Sequence, residues 1–562
     1  MTETSAYSLG VDYGTNSVRA LVVDTGTGEE LATAVFNYPT GEAGILLDAS
    51  DPNLARQHPQ DYIDGFFEAV GEALAAADSI SGFSRDRVVG IGVDATGSSP
   101  IPVDRSGMPL ALDAVWRDDL AAQCWLWKDH TSHAEAAEIT ALAMERGEPY
   151  LALCGGTYSS EWYWSKILRC ERTSPEVAEA AYGWVEFADF VPGYLTGRTD
   201  PDTMARGICA AGHKAMFHER WGGLPSAAFL DALSPGLSRY RERYGATPRP
   251  SSEVAGGLKA SFAERLRLRA ELPVAIGALD AHHGAVGSGV KAGTMVKIIG
   301  TSTCDIMTAS MSEALADIPG VCGIVPESVL PGAYGIEAGQ SAVGDLFNWF
   351  VKHLGPGGSD AHERLTAASE GLLPGESGLL ALDWNNGNRT VLVDPLLSGL
   401  MVGQTLHTTA AEMYRALIEA TAFGSLAIIE RIEAHGVAVE AVVMCGGIAE
   451  KNAMAMQIYA DVLNRPIRIA RSGQACALGA AVFGAVVGGA HADTDAAVAA
   501  MTGTKDVVYE PDSERVAAYR ALYGLYLRLH DAFGGVSEKA ELGSVMKSLI
   551  SIRDRARRSW GS

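Results

Sequence analysis

Asp12 and Asp280 are the two carboxylates of this chain whose settings suit phosphate chemistry. Asp12 ends the apolar run Ser8-Leu-Gly-Val-Asp12 and precedes a turn of small, hydroxyl and amide residues: Gly14, Thr15, Asn16 and Ser17. Backbone N–H groups of such a turn can cradle phosphate oxygens, and the carboxylate beside it can hold Mg2+ directly or through water. Alone, the segment reads equally as an ordinary hairpin. The second half of the chain repeats it: Met295-Val-Lys-Ile-Ile299, then Gly300, Thr301, Ser302 and Thr303, then a further apolar run to Met307. Two such turns, one per half, can grip one triphosphate from both sides of a cleft.

Asp280 stands just past the apolar run Leu272–Leu279, in Gly277-Ala-Leu-Asp-Ala-His-His-Gly284. A carboxylate there can accept a proton from a hydroxyl attacking a γ-phosphate, and it can also cap the helix that the small residues after it imply. His282 and His283 occupy adjacent helical positions, which point about 100° apart, so they cannot easily share one ion. Gly446, Gly447 and Asn452 form a glycine turn between a strand and a helix, where a nucleoside could approach the backbone and Asn452 could cap the helix or touch the nucleotide. Lys214 lies among aromatic residues in Ala211–Gly223. It reads either as a cation for a polyol or carbonyl oxygen or as a surface lysine. Ile336-Glu-Ala-Gly-Gln-Ser341 reads as a helix start with Glu337 solvated, or as a second polar contact.

The elements that must position these groups follow from hydropathy pattern. Residues 7–38 read as three strands, and Asp61–Ala77 has helical spacing after Pro59. Arg87–Asp94 is a continuous apolar run of the kind buried on both faces, and it delivers Ala95-Thr-Gly-Ser-Ser99 to the carboxyl edge of a sheet. Residues 115–250 read as inserted helices and loops shaping a substrate pocket. In the second half Thr409–His435 is a helix with the capping box Thr409-Ala-Ala-Glu412 and a stop at Gly436, followed by strand Ala441–Met444. The order hairpin, helix, buried strand, glycine turn therefore occurs twice. The fold class is α/β with two similar domains and a cleft between them. Residues 354–390, rich in Gly, Pro and Ser, read as a surface excursion, and the last 50 residues as helical, with the basic end Arg553–Arg558 a solvated tail. The domains are taken as 1–288, 289–545 and a tail, 546–562.

Composition limits the partners. The 562 residues are 47% apolar and 20% charged, with a formal net charge of -24. Such a chain repels nucleic acid and anionic membranes, so it must hold a polyanion such as ATP by backbone amides, a few basic side chains and a divalent metal. Met1–Ser5 carries no basic segment leading into an apolar run, so no signal peptide is expected. The stretch Ala475–Ala490 is broken by glycines and too short to span a bilayer, and reads as a buried helix. Eight cysteines without a C-x-x-C pair argue against a zinc cluster and for buried thiols in a reducing cytoplasm. A homodimer is the default assembly.

Together, Leu126-Trp-Lys-Asp-His-Thr131, Tyr158-Ser-Ser-Glu-Trp-Tyr-Trp164, the Lys214 segment, Ile299-Gly-Thr-Ser-Thr-Cys-Asp305 and Glu337-Ala-Gly-Gln-Ser341 resemble the FGGY family of carbohydrate kinases, over residues 6 to 540. The resemblance implies two actin-like (ribonuclease H-like) ATPase domains. It also implies transfer of the ATP γ-phosphate, with Mg2+, to the 5-hydroxyl of a ketopentose, L-ribulose first, in the catabolism of L-arabinose. Another pentulose or pentitol is the alternative, and an actin- or Hsp70-like ATPase switch the remote one. By that resemblance Asp280 is the base. Ala95, Thr96, Lys214, Asp280 and Glu337 match sugar positions. Gly300, Thr301, Gly446 and Asn452 match nucleotide positions, and Asp12 matches the Mg-phosphate position. Met444-Cys445 and Glu450 depart from the family pattern near the adenosine position.

Overall fold

The computed structural model describes residues 6–312, 315–537 and 542–559; Met1–Ser5, on which the reading of no signal peptide rests, lie outside them. Apolar and β-branched residues around the first Gly-Thr turn form β1 (Tyr7–Tyr13) and β2 (Ser17–Asp24), with β3 (Glu30–Asn37) completing the meander. Helix α1 (Pro59–Asp78) begins at Pro59, capped by His58, and lays Tyr62, Phe66, Val70 and Leu74 on the sheet. It leads to β4 (Val88–Ala95). After the insert, whose helix α2 (Ile208–Ala215) carries Lys214, come β5 (Val254–Gly257), β6 (Pro273–Ala275), β7 (Ala278–Leu279) and α3 (Asp280–Gly287). The run read as one strand, Leu272–Leu279, is thus two short pieces parted at Ile276-Gly277. Gly277 is pressed against Ala188, where an added Cβ would lie 2.0 Å from the carbonyl oxygen.

The second half comprises β8 (Thr294–Ile299), β9 (Thr303–Ser310), β10 (Gly323–Pro326), β11 (Ala333–Ala338), α4 (Gly344–His353), α5 (Ala410–Glu433), β12 (Ala441–Cys445), α6 (Gly447–Lys451), α7 (Ala453–Leu463), β13 (Ile467–Ala470), α8 (Ala475–Val487), β14 (Thr504–Tyr509), α9 (Ser513–Phe533) and α10 (Val545–Ser559). The capping box is formed: Thr409 Oγ1 accepts from Glu412 N and the Glu412 carboxylate accepts from Thr409 N.

The duplication is explicit in the sheets. The first runs β5-β6-β4-β1-β2-β3 and the second β14-β13-β12-β8-β9-β11, with β10 as an extra edge strand. In both, the sequence of pairings is antiparallel, parallel, parallel, antiparallel, antiparallel. The helix that follows the outer parallel strand of each half, α3 or α8, crosses to the other half. Helix α8 packs on β1 and β4, while α3 packs on α8 and reaches β8 and β9. Backbone meets backbone at these crossings. A Cβ on Gly10 would fall 1.8 Å from the Ala477 carbonyl oxygen, on Gly92 1.8 Å from that of Ala480, and on Gly287 1.9 Å from that of Ala475. Gly10 and Gly92 are register neighbours on adjacent strands. The segment expected to be a buried helix is this α8.

Two expectations are corrected. Residues 354–390 are not merely a surface excursion: helix Ala361–Glu370 and strand Leu380–Leu382 bury Leu365, Leu380, Leu382 and Trp384 in the second core. The expected C-terminal helix is present as α10, but the segment taken as a tail is not free at its start: α10 buries Val545 and Leu549 in the same core; 560–562 lie outside the described residues. The insert has its own aromatic core around Trp125, Tyr163, Trp164 and Trp184.

Gly92→Ala should destabilise the chain by about 1–3 kcal/mol or more, because backbone carbonyl and strand must move apart. Gly71→Ala, in the middle of α1 with nothing within 4 Å of the new methyl, should be neutral or stabilise by about 0.5–1 kcal/mol. Urea unfolding of both checks this; equal midpoints would remove the close-packing argument.

Candidate active site

The parallel register sets Asp12 of β1 beside Asp94 of β4, and Tyr13 beside Ala95. Across the hairpin Asp12 faces Arg19, at 3.6 Å. Burial raises the Asp12 carboxyl, an effect that Arg19 opposes. Asp94 is fully buried and raised well above the ordinary range, first by burial, then by the charges of Asp12 and Asp280. Neither of its oxygens receives a hydrogen bond from a described donor, though His283 Nδ1 lies 3.7 Å away. Asp280, the first residue of α3, accepts from the N–H of Ala281 at 2.7 Å, so it tends the helix start as well as facing the cleft. Burial, and after it the charge of Asp12, push it up to about 7. Three acids against one arginine make a floor that attracts a cation. The unsatisfied Asp94 oxygens and the Asp12 carboxylate are hard oxygen donors of the kind Mg2+ takes.

Behind this floor Ala95 and Thr96 are buried, with Thr96 Oγ1 3.2 Å from Ser99 Oγ and its N–H donating to Tyr13 O. Glu186 accepts from Ser98 Oγ and from Ser99 N. Lys166 donates to the carbonyls of Ser98, Leu126 and Trp125. Burial pushes Lys166 down to about 7 and raises Glu186. These two residues therefore brace the loop from below.

Lys214 and Glu337 meet from opposite halves. The Lys214 ammonium donates to both Glu337 oxygens, at 2.8 and 2.9 Å, and lies 5.5 Å from the Trp162 ring centre. Tyr158 Oη donates to the Lys214 carbonyl. Glu337 sits in strand β11, not at a helix start, and both partners are buried rather than solvated. Burial alone would raise the Glu337 carboxyl. Lys214, His213 (3.4 Å) and His282 (3.7 Å) overcome it and hold the group far below the usual range. His282 and His283 diverge as their spacing implies: His282 faces Glu337, while His283 faces Asp94 and Ser251.

The two Gly-Thr loops are alike in length, three residues each, but not in their closing bond. Gly14 N donates to Ser17 O, three residues on, and Gly300 N to Ser302 O, two residues on, both at 3.0 Å. Thr15 is held by Trp127 Nε1 at 3.1 Å and Asn16 Nδ2 bonds the Ala43 carbonyl. The second loop is exposed at Gly300 and Thr301, with Ser302 half-buried. It is backed by α4, whose first amides donate to the Gly300 and Thr301 carbonyls. Gly446, at φ +102°, presses on Ile299 O, where a Cβ would lie at 2.3 Å; Gly447 faces open space. Asn452 caps α7 by accepting from Ala455 N at 2.9 Å. Met444 and Cys445 are buried in the core, and Glu450 is paired with Lys505 at 2.9 Å.

So Asp12, Asp94 and Asp280 gather with the Ala95–Thr96 loop and the Lys214–Glu337 pair, while Gly300, Thr301, Ser302, Gly446 and Gly447 gather across from them. The sequence reading missed Asp94, Lys166, Glu186 and His213. The cue for Asp94 was present: it ends an apolar strand as Asp12 does. The others show only through long-range contacts.

Two copies of one sheet, each with its Gly-Thr hairpin, facing a cleft with an acidic floor, define a phosphotransferase of the sugar-kinase and actin-like class. The chain belongs to the FGGY family of carbohydrate kinases: residues 7–154 match the N-terminal domain of that family and 295–487 the C-terminal domain. It is 41% identical over 571 residues to a ribulokinase of Shouchella clausii, covering 98% of each chain. It is likewise 41% identical to a ribulokinase of Mycolicibacterium smegmatis, again over 98% of each. A xylulose kinase from Rhodospirillum rubrum has the same fold, with TM-score 0.78, 24% identity and coverage of 94% of this chain and 99% of that one. No helix among the described residues is long and apolar enough to cross a membrane.

The folded chain holds the Asp280 proton more tightly than the unfolded one, about 7 against 3.8. Ionised Asp280 therefore opposes folding fully above pH 7 and not at all below about 4, where both states are protonated. Asp280→Asn should raise the thermal midpoint at pH 8, with the gain shrinking as pH falls towards 4. An unchanged midpoint at pH 8 would mean the carboxylate is not strained.

Proposed function

We propose that this chain transfers the γ-phosphate of ATP to the 5-hydroxyl of L-ribulose, the family activity for which its full-length relatives are named. The observation that carries the reading is the setting of Asp280, a carboxylate raised to about 7 between an acidic floor and the Lys214–Glu337 pair. Asp280 takes the proton of the attacking hydroxyl, and its raised affinity makes it a stronger base than an ordinary aspartate. Lys214 donates to the ketose oxygens and Glu337 accepts from hydroxyls, which fixes the reacting oxygen near Asp280. The Ala95–Thr96 loop, braced by Lys166 and Glu186, forms the other wall. The loops Gly14–Ser17 and Gly300–Ser302 offer amides and hydroxyls to the phosphates, and Gly446, Gly447 and Asn452 lie on the nucleoside side. Asp12 and Asp94 would hold Mg2+, which when bound neutralises phosphate charge. Closure of the halves keeps water from the transferred group.

ADP release should be fastest with L-ribulose among L- and D-ribulose, L- and D-xylulose, ribitol, L-arabinitol, glycerol and no sugar. Release that ignores sugar would replace this reading by an ATPase switch. Asp280→Asn should lower turnover on the order of 100-fold or more with little change in sugar affinity; near-normal turnover would move the base elsewhere.

The pH profile gives a separate test. The base works ionised, so kcat/KM for the sugar should fall with one proton as pH drops through about 7, the value at which Asp280 protonates. A profile flat from pH 8 to 6 would contradict the assignment.

A further inference from the structure

One cluster at the junction of the halves is not used by the reaction. Cys209 and His213 lie one turn apart on α2, and His282 reaches them from α3. The Cys209 thiol and one ring nitrogen of each histidine lie within 4.8 Å of one another. The three residues are 1–2% exposed, and the two imidazole rings are 4.5 Å apart. His213 Nε2 is bonded to Ser328 Oγ, but His213 Nδ1 and both ring nitrogens of His282 have no hydrogen-bond partner among the described residues. Unsatisfied buried ring nitrogens are costly and call for a ligand. A fourth donor is at hand: Glu337 Oε2 lies 3.4 Å from His213 Nδ1 and 3.7 Å from His282 Nε2. Burial, foremost, keeps both rings neutral, with their lone pairs free: His213 well below its ordinary value and His282 at about 4.

We propose that Cys209, His213 and His282, with Glu337, form a binding site for a soft divalent cation of the zinc class. The site is separate from the Asp12–Asp94 position. A thiolate, two imidazoles and a carboxylate are a tetrahedral zinc set, whereas Mg2+ prefers oxygen donors and retained water. The donors must draw together to reach bonds of ~2.0–2.3 Å. Loading exchanges one S–H bond for one S–metal bond, and the Cys209 proton leaves to solvent with no change of oxidation state. Recruiting Glu337 takes it from Lys214, so the ion and the sugar exclude each other. That exclusion rests on the sugar reading above; the metal site itself does not.

The full-length protein, freed of metal by chelation, is titrated with Co2+. The expected result is one Co2+ per chain bound with a thiolate-to-cobalt charge-transfer band in the near ultraviolet, displaced by Zn2+ and absent in Cys209→Ser. Cys209 carries none of the roles assigned to catalysis and its side chain packs on Ala278 and Leu279, so this isosteric variant should keep turnover. Zn2+ should raise the apparent KM for L-ribulose and not that for Mg-ATP, at a concentration at least about 10-fold higher in Cys209→Ser. No charge-transfer band, or one that survives in Cys209→Ser, overturns the site. Should the chain phosphorylate no sugar, a band lost in Cys209→Ser still supports the site, and only the exclusion falls.

Discussion

The exchange of α3 and α8 between the halves is the constraint on which the rest of the structure depends. Each helix is the chain's continuation of one sheet, yet it buries its face against the other half, and the two share one core with residues from both sheets, among them Leu21, Val296, Ala285 and Val482. Glycines on both surfaces bring backbone to backbone, so the contact has little side-chain play. Helices interlocked in this way fix which edges of the sheets face each other: the carboxyl ends of β1 and β4 on one side, those of β8 and β12 on the other. The cleft, and the convergence of acids and Gly-Thr loops upon it, follow from that crossing.

Electrostatics explains how a chain of net charge -24 accommodates a triphosphate. The acids at the floor repel phosphate only while no cation sits among them. Burial foremost, and after it their mutual repulsion, raises Asp94 and Asp280, and a bound cation would relieve the second of these. The same two causes bring Asp280 to the value that its proposed role as base requires, without a histidine. His283, next to Asp94, is kept neutral by burial, down to about 3, so it does not quench the acids.

Local pattern made much of this legible. The Gly-Thr hairpins, α1, α5 with its capping box and Asp280 past its strand are each written within about 25 residues, where period and turn chemistry are decisive. The duplication could be read because each half repeats its local signals in the same order. What was hidden depended on distant partners. Lys166 and Glu186 look like ordinary charged residues of an insert, and only the fold places them under the Ala95–Thr96 loop. Glu337 was ambiguous because a strand edge and a helix start share small polar residues. Leu380–Leu382 and the docking of α10 were missed because Gly, Pro and Arg nearby outweighed a few apolar residues that find the second core.

The Lys214–Glu337 pair joins the insert of the first half to a strand of the second, and its environment favours a polyol over water. Both charges are buried, so separating them is costly unless each gains a new partner. A water can bridge the two, accepting from the ammonium and donating to the carboxylate, but it reaches only about 3 Å to each partner. A ketopentose, with a carbonyl and several hydroxyls on one chain, can meet the ammonium and the carboxylate while a further hydroxyl extends to Asp280. Under the proposed roles, discrimination against hydrolysis rests on a substrate long enough to span the pair and Asp280 at once.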